Sequence, residues 1–137
     1  MESKSLADLI SGLQSQGKKI AAYLSVHAYS QLWMSPYGYK KEQAPHYADH
    51  LRVMKAATTA LKAEYGTHYR YGPIHKVIYQ AGGGSGDYIY ERLGVKYSFA
   101  LELRDTGRYA FLLPVDQIMP TVKVREGSLG RGDGAYD

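Results

Sequence analysis

Cysteine is absent from the 137 residues, which excludes disulfides, thiolate metal sites and cysteine nucleophiles. Long apolar runs are missing as well. Nothing approaches the roughly 18 consecutive apolar residues of a membrane-spanning helix, so no membrane partner is expected. The opening MESKSLADLI has neither the basic start nor the apolar stretch of a secretory signal. Charge is not concentrated either: the net value is a modest +4, and the lysines and arginines are scattered rather than gathered on one helix face. That pattern reads as a solvated surface, and no nucleic-acid partner is expected. The run Gly82–Gly84 lacks the lysine and spacing of a P-loop and does not satisfy GxGxxG, so nucleotide binding is not expected.

What is present is an ordinary globular composition, with 45% apolar and 22% charged residues, enough for one domain with a real core. Tyrosine is the unusual residue, with fourteen copies grouped in SPYGY, YRYG and YIYE. Each combines a large ring with a polar tip, which suits partly polar core walls and ligand clefts.

Leu6, Leu9, Ile10 and Leu13 recur at helical spacing, predicting an amphipathic helix over Lys4–Gln16 that ends near Gly17. Ile20–Val26 (IAAYLSV) is short and apolar, as a strand buried on both faces would be. Leu51, Met54, Thr58, Leu61 and Tyr65 predict a second helix from Tyr47 to Glu64, with Gly66 as its stop. Lys76–Gln80 is a short strand candidate, and Ser85 or Asp87 can cap a short helix through Arg92. In Val95–Leu103 the residues Val95, Tyr97, Phe99, Leu101 and Leu103 alternate with Lys96, Ser98, Ala100 and Glu102, the signature of a strand with one face in the core. Helices alternating with strands predict a three-layer α/β/α arrangement around a mixed, largely parallel sheet. The glycine-rich stretch 124–137 holds almost no apolar residues and is expected to be a disordered tail, in which the triplet Arg131–Gly132–Asp133 reads as chance.

Glu102 stands out chemically. On the inward-alternating face of a hydrophobic strand, beside Ala100, a carboxylate loses hydration unless it has a partner, and desolvation raises its pKa toward the range useful to a general base. A structural ion pair with Arg104 or Arg108 is the alternative. His27 follows the end of the IAAYLSV strand, where open α/β sheets place ligands, and is read either as a hydrogen-bonded core histidine or as a metal ligand. His46, His50, His68 and His75 have no carboxylate in an HExxH pattern and are read as surface residues.

Three segments carry a family resemblance: His27–Tyr39 (HAYSQLWMSPYGY), Tyr79–Asp87 (YQAGGGSGD) and Tyr97–Pro114 (YSFALELRDTGRYAFLLP). They resemble, in order, the HSYSQ/PYGY, YQASGGS-D and YSFTFELRDTGRYGFLLP segments of zinc metallocarboxypeptidases of the carboxypeptidase A/B family, and the match runs from about Ser5 to Thr121. The resemblance implies a zinc carboxypeptidase-like fold, with 1–123 as the C-terminal portion of a peptidase domain. It makes His27 a zinc ligand and Glu102 the general base that takes a proton from zinc-bound water and delivers it to the leaving amine. Tyr79 becomes the mobile tyrosine that closes over the substrate's terminal carboxylate. Met34, Gly38, Ile78, Ala81, Gly84, Gly86 and Ala100 fall where the family lines the pocket for the C-terminal side chain, with Tyr29 and Phe111 beside the cleft. Basic-specific members have an aspartate at the place of Gly86; with no charge there, the expected substrates are peptide C-termini with aliphatic or aromatic residues.

The resemblance further implies non-proline cis peptides at Ala28-Tyr29, Pro36-Tyr37 and Arg104-Asp105. It places the family's HxxE zinc ligands, its carbonyl-polarising arginine and its Asn-Arg carboxylate grip upstream of the residues present. The expectation is therefore one zinc ion in a complete enzyme, weak or absent zinc and no catalysis in this chain alone, and poor solubility. Secretion to the extracellular space and a monomeric state are implied by family. The competing expectation is a non-catalytic truncated product acting as a peptide-binding or interaction module.

Overall fold

The structure, a computed structural model, describes residues 2–121. The tail expected at 124–137, with its Arg131–Gly132–Asp133 triplet, lies outside the described residues.

Along the described residues the elements run α1 (Glu2–Ser15), β1 (Ala22–Ala28), β2 (Leu32–Ser35), α2 (Tyr47–Tyr65), β3 (Arg70–Pro73), α3 (Ile74–Val77), α4 (Ser85–Glu91) and β4 (Tyr97–Leu103). A 3-10 turn at Val115–Gln117 comes after them. The strands form one sheet in the order β1-β4-β2-β3. β1 runs parallel to β4 and β2 parallel to β3, while β2 and β4 are antiparallel, so the sheet is mixed.

The period of two along each strand decides which side chain meets which layer. Leu24, Phe99, Leu101 and Trp33 share one face, and α2 covers it with Met54, Ala57 and Leu61. Met54 and Leu61 are essentially sealed from solvent, each contributing roughly 1.5–3 kcal/mol of hydrophobic stabilisation. On the opposite face Tyr23 packs with Ile10 of α1, Ile89 of α4 and Val95. The result is the expected three layers. α2 ends as its sequence predicts: Gly66 adopts φ 65°, and its N–H donates to the Lys62 carbonyl at 2.8 Å.

Four expectations need correction. β1 is an edge strand of the described sheet and is partly buried to exposed, not buried on both faces, because its free side has no neighbour among the described residues. Lys76–Gln80 is not a strand. Pairing with β2 goes instead to Arg70–Pro73, and Ile74–Val77 winds into a helical turn that begins directly after Pro73. Neither Ser85 nor Asp87 caps α4, whose N-cap is Gly84 with no side-chain cap bond. His50 is a core residue rather than a surface one: it is fully buried, hydrogen-bonded through Nε2 to the Lys96 carbonyl at 2.7 Å and edge-on to Tyr90 and Phe99.

The peptide bonds Ala28-Tyr29, Pro36-Tyr37 and Arg104-Asp105 are all cis, at the positions the resemblance implied. No helix of the described residues is long and apolar enough to cross a membrane.

Candidate active site

β4 carries Glu102, and its two faces meet different surroundings. While Phe99 and Leu101 enter the core under α2, the alternate residues Ser98, Ala100 and Glu102 line the other face. In the parallel register with β1, Ser25 pairs with Ala100 and His27 with Glu102; in the antiparallel register with β2, Met34 pairs with Ala100. Ser25, His27, Met34, Ala100 and Glu102 therefore share one surface. Ser98, at the other end of that row, is completely buried and donates to the Gly86 carbonyl at 2.8 Å, seating the first turn of α4 on the strand. From Ser98 to Glu102 the row runs about 13 Å at strand rise.

Glu102 is half-buried, and burial raises its pKa above the ordinary carboxylate value, with the nearby His27 pulling it part of the way back. The alternative partners are engaged elsewhere. Arg104 donates to Thr67 and, at 2.8 Å, to Gln117, while the Arg108 guanidinium lies over the Tyr109 ring. The structural ion pair considered for Glu102 is thus not formed.

His27 is exposed, with Nε2 hydrogen-bonded to Ser25 Oγ at 2.7 Å. A ring nitrogen fixed in this way orients the other, Nδ1, which is how metal-bound imidazoles are commonly held. Ser25 was not singled out from sequence, although its position two residues before His27 on a strand was the available signal. One imidazole is nevertheless no zinc site, since zinc sites take three or four protein ligands. Among the described residues no group of three or more His, Cys, Asp or Glu side chains could hold a metal ion. These residues alone do not fit the ion.

The other singled-out residues lie in the loops after β1, β2 and β4, around α3 and at the start of α4. Tyr29 and Phe111 meet edge to face with centroids 5.0 Å apart, although Phe111 remains 79% exposed. Tyr79 is likewise largely exposed, at 69%, next to Ile78 at 42%. Ala81 donates its N–H to the Gly38 carbonyl at 2.9 Å, which joins the segment after Tyr79 to the turn after β2. Gly84 and Gly86 lie at the start of α4. A cavity of about 520 Å³ opens nearby, but it lies between α1 and α4, lined by Leu6, Ala7, Tyr88 and Glu91 among others. Gly84, Tyr39 and Asp87 also line it, but none of the row from Met34 to Glu102 does.

A residue considered above only as a helix cap proves central to this geometry. Asp87, 6% exposed, accepts from the Gly38 N–H at 2.9 and 3.1 Å and from the Tyr39 N–H at 3.0 Å. Burial raises its pKa and these amides pull it back in part.

A carboxylate and an imidazole thus share one face of a mixed sheet, and comparison with known proteins gives the family. The zinc carboxypeptidase family profile matches residues 1–126. Human carboxypeptidase A1 is 51% identical over 123 residues, and mouse carboxypeptidase A2 50% over 123; each alignment covers 90% of this chain and 28% of the relative. The solved structure of bovine thrombin-activatable fibrinolysis inhibitor in complex with tick carboxypeptidase inhibitor superposes with a TM-score of 0.84 at 38% identity, covering 92% of this chain and 42% of that one. The chain belongs to the zinc carboxypeptidase family and spans under a third of the length of these curated relatives.

Proposed function

We propose that this chain supplies the proton-transfer carboxylate and the pocket for the C-terminal side chain in a zinc metallocarboxypeptidase. The observation that supports this best is the register that sets Glu102 beside His27 on one face, with Met34 and Ala100 continuing the same surface. Glu102, its pKa raised by burial, accepts a proton from the attacking water and returns it to the departing amine nitrogen. His27 serves as one metal ligand, and the further ligands come from outside the described residues. Tyr79, exposed and flanked by anchored residues, closes over the substrate's terminal carboxylate.

The pocket assigned to Met34, Gly38, Ile78, Ala81, Gly84, Gly86 and Ala100 carries no free charge. Asp87 does not supply one, because its oxygens are engaged by the Gly38 and Tyr39 amides. Aliphatic and aromatic C-terminal residues are the substrates such a surface favours. Export from the cell and a monomeric complete enzyme belong to the same reading. A second reading, a non-catalytic interaction module, draws on Phe111, Leu112, Val115 and Met119, which hold large apolar side chains in solvent.

The test is a chimera in which residues 1–121 replace the matching segment of human carboxypeptidase A1, assayed on blocked dipeptides ending in phenylalanine, leucine or arginine. Phenylalanine and leucine should be released faster than arginine; the reverse order would overturn the pocket assignment. The 137-residue polypeptide by itself should hold no zinc and release no phenylalanine. Turnover by that polypeptide that disappears with Glu102→Gln would refute the need for outside ligands.

A further inference from the structure

Three parts of the site converge on two consecutive residues, Gly38 and Tyr39. Asp87 accepts the N–H groups of both Gly38 and Tyr39 on one buried carboxylate. The Gly38 carbonyl accepts from Ala81 N–H at 2.9 Å, and the Tyr39 carbonyl from Gln80 Nε2 at 2.7 Å. One residue upstream, the Tyr37 carbonyl is held by the backbone N–H of His75 at 3.2 Å and by its Nδ1 at 2.7 Å. The turn is thus bonded on every side, and the two residues that follow Tyr79 are anchored to it.

We propose that Asp87 is the positioning residue of this site: by fixing the Gly38–Tyr39 peptide it sets both the pocket wall and the anchored base of the Tyr79 segment. The inference rests on the function proposed above and names what holds that pocket in shape.

The chemistry of the carboxylate is what makes the role specific. The Gly38 and Tyr39 N–H groups both bond Oδ2, at 2.9 and 3.0 Å, and the Gly38 N–H also reaches Oδ1 at 3.1 Å, so acceptors are needed at both oxygen positions, which a carboxylate provides and a carboxamide does not. Asparagine would turn an NH₂ toward one of the two amides and leave a buried donor unpaired. The clearance around Gly38 is equally narrow. A Cβ there would lie 2.9 Å from the Ala81 oxygen, 3.0 Å from Ile74 Cγ2 and 3.4 Å from Asp87 Oδ2, so no side chain fits between the turn and its anchors. A displaced Gly38–Tyr39 peptide would carry Ala81 and Gln80 with it, and those neighbours hold the backbone on which Tyr79 swings. Asp87 need not touch substrate to act in this way.

Two measurements test the proposal. The first is hydrogen exchange by mass spectrometry on the full chain and its Asp87→Asn variant. The segments 37–40 and 80–82 should exchange about tenfold faster or more in the variant, while 50–61 in α2 keeps its protection. Loosening of 37–40 with 80–82 unchanged would overturn the relay to the Tyr79 segment. The second is Asp87→Asn in the chimera described above. KM should rise several-fold more than kcat falls, and the kcat/KM preference between C-terminal phenylalanine and leucine should narrow. KM and that ratio do not depend on the fraction of enzyme folded, so they decide the matter even if the variant expresses poorly. Equal losses in kcat for both substrates with KM and their ratio intact would reduce Asp87 to a stability residue and overturn the proposal. A folded chimera that retains Asp87 yet has no activity would sink the proposed function instead, and the exchange experiment would then decide the inference.

Discussion

Glu102 and His27 stand opposite each other in register across the parallel β1–β4 pair, on the same face of the sheet. A shift of one residue in that register would send one of them to the α2 side, because strand side chains alternate faces. The hydrophobic contacts of Leu24, Phe99 and Leu101 with α2 therefore do more than stabilise the core. They lock the register that holds a carboxylate and an imidazole together.

Replacing Glu102 by glutamine in the chimeric enzyme keeps the shape and removes the base. We expect kcat to fall by roughly two to four orders of magnitude, the range typical of a general base, with KM nearly unchanged. Steady-state kinetics on a blocked dipeptide ending in phenylalanine checks this; a loss carried mainly by KM would assign Glu102 to binding rather than to proton transfer.

Two glycines of the proposed pocket should respond in opposite ways to alanine. At Gly38 the added methyl meets the Ala81 carbonyl at 2.9 Å, backbone that cannot step aside, and the variant should lose about 1–3 kcal/mol. At Gly86 the nearest atom is Ser98 Oγ at 3.6 Å, an ordinary contact, and alanine in the first turn of α4 should be neutral or stabilise by up to about 1 kcal/mol. Urea titrations of the two variants separate the cases.

His50 gives the fold a sensitivity to acid. It is sealed among Tyr90, Tyr97 and Phe99, and burial lowers its pKa from the ordinary 6.5, the Lys96 carbonyl opposing that shift and the surrounding charges of His46, Asp49 and Lys96 adding smaller effects of both signs. Because the folded value is the lower one, the unfolded chain binds the extra proton first. The stability linked to this group is complete above the unfolded pKa and is lost as pH falls from there toward the folded value. His50→Gln keeps a donor for the Lys96 carbonyl and removes the titration. Its unfolding midpoint should vary less between pH 7 and 5 than that of the parent chain, as followed by circular dichroism; equal slopes would show that other groups dominate.

Asp105 ties the loop that carries Phe111. Its carboxylate accepts from Gly107 N–H at 3.0 Å, Tyr109 N–H at 2.9 Å and Ala110 N–H at 3.1 Å. Desolvation works to raise its pKa, yet these bonds outweigh it and leave the group below its ordinary value. The linked stability is present above the unfolded value of about 3.8 and is lost as pH falls through the folded one. Asp105→Ala should lower the urea midpoint at neutral pH and raise proteolytic cleavage within 106–111. Unchanged cleavage there would show that the Tyr29–Phe111 contact suffices to hold the loop.

Much of this was legible in the chain itself because it depends on short-range periodicity. The helical spacing of Met54, Thr58 and Leu61 marked α2 and Gly66 its end, while the alternation from Tyr97 to Leu103 marked β4 and put Glu102 on the face opposite Phe99. The missed strand β2 is four residues long and buried throughout, too short to show a period. β3 was misplaced by a few residues because Tyr71-Gly72-Pro73 has weak strand character and is held by its partner instead. His50 was read as a surface residue because a histidine in a polar helix gives no local sign of the aromatic cage that other elements bring to it.

The order of the residues determined the family, the helix ends and the alternation that turns Glu102 away from the α2 core. All of these are written in composition and in spacings of two to four residues. Tertiary structure alone decided that His27 would meet Glu102, that Arg104 would turn to Thr67 and Gln117, and that Asp87 would serve the Gly38–Tyr39 amides instead of its own helix. Those outcomes join residues tens of positions apart, where packing and buried hydrogen-bond demand choose the partner and local sequence carries no record of the choice.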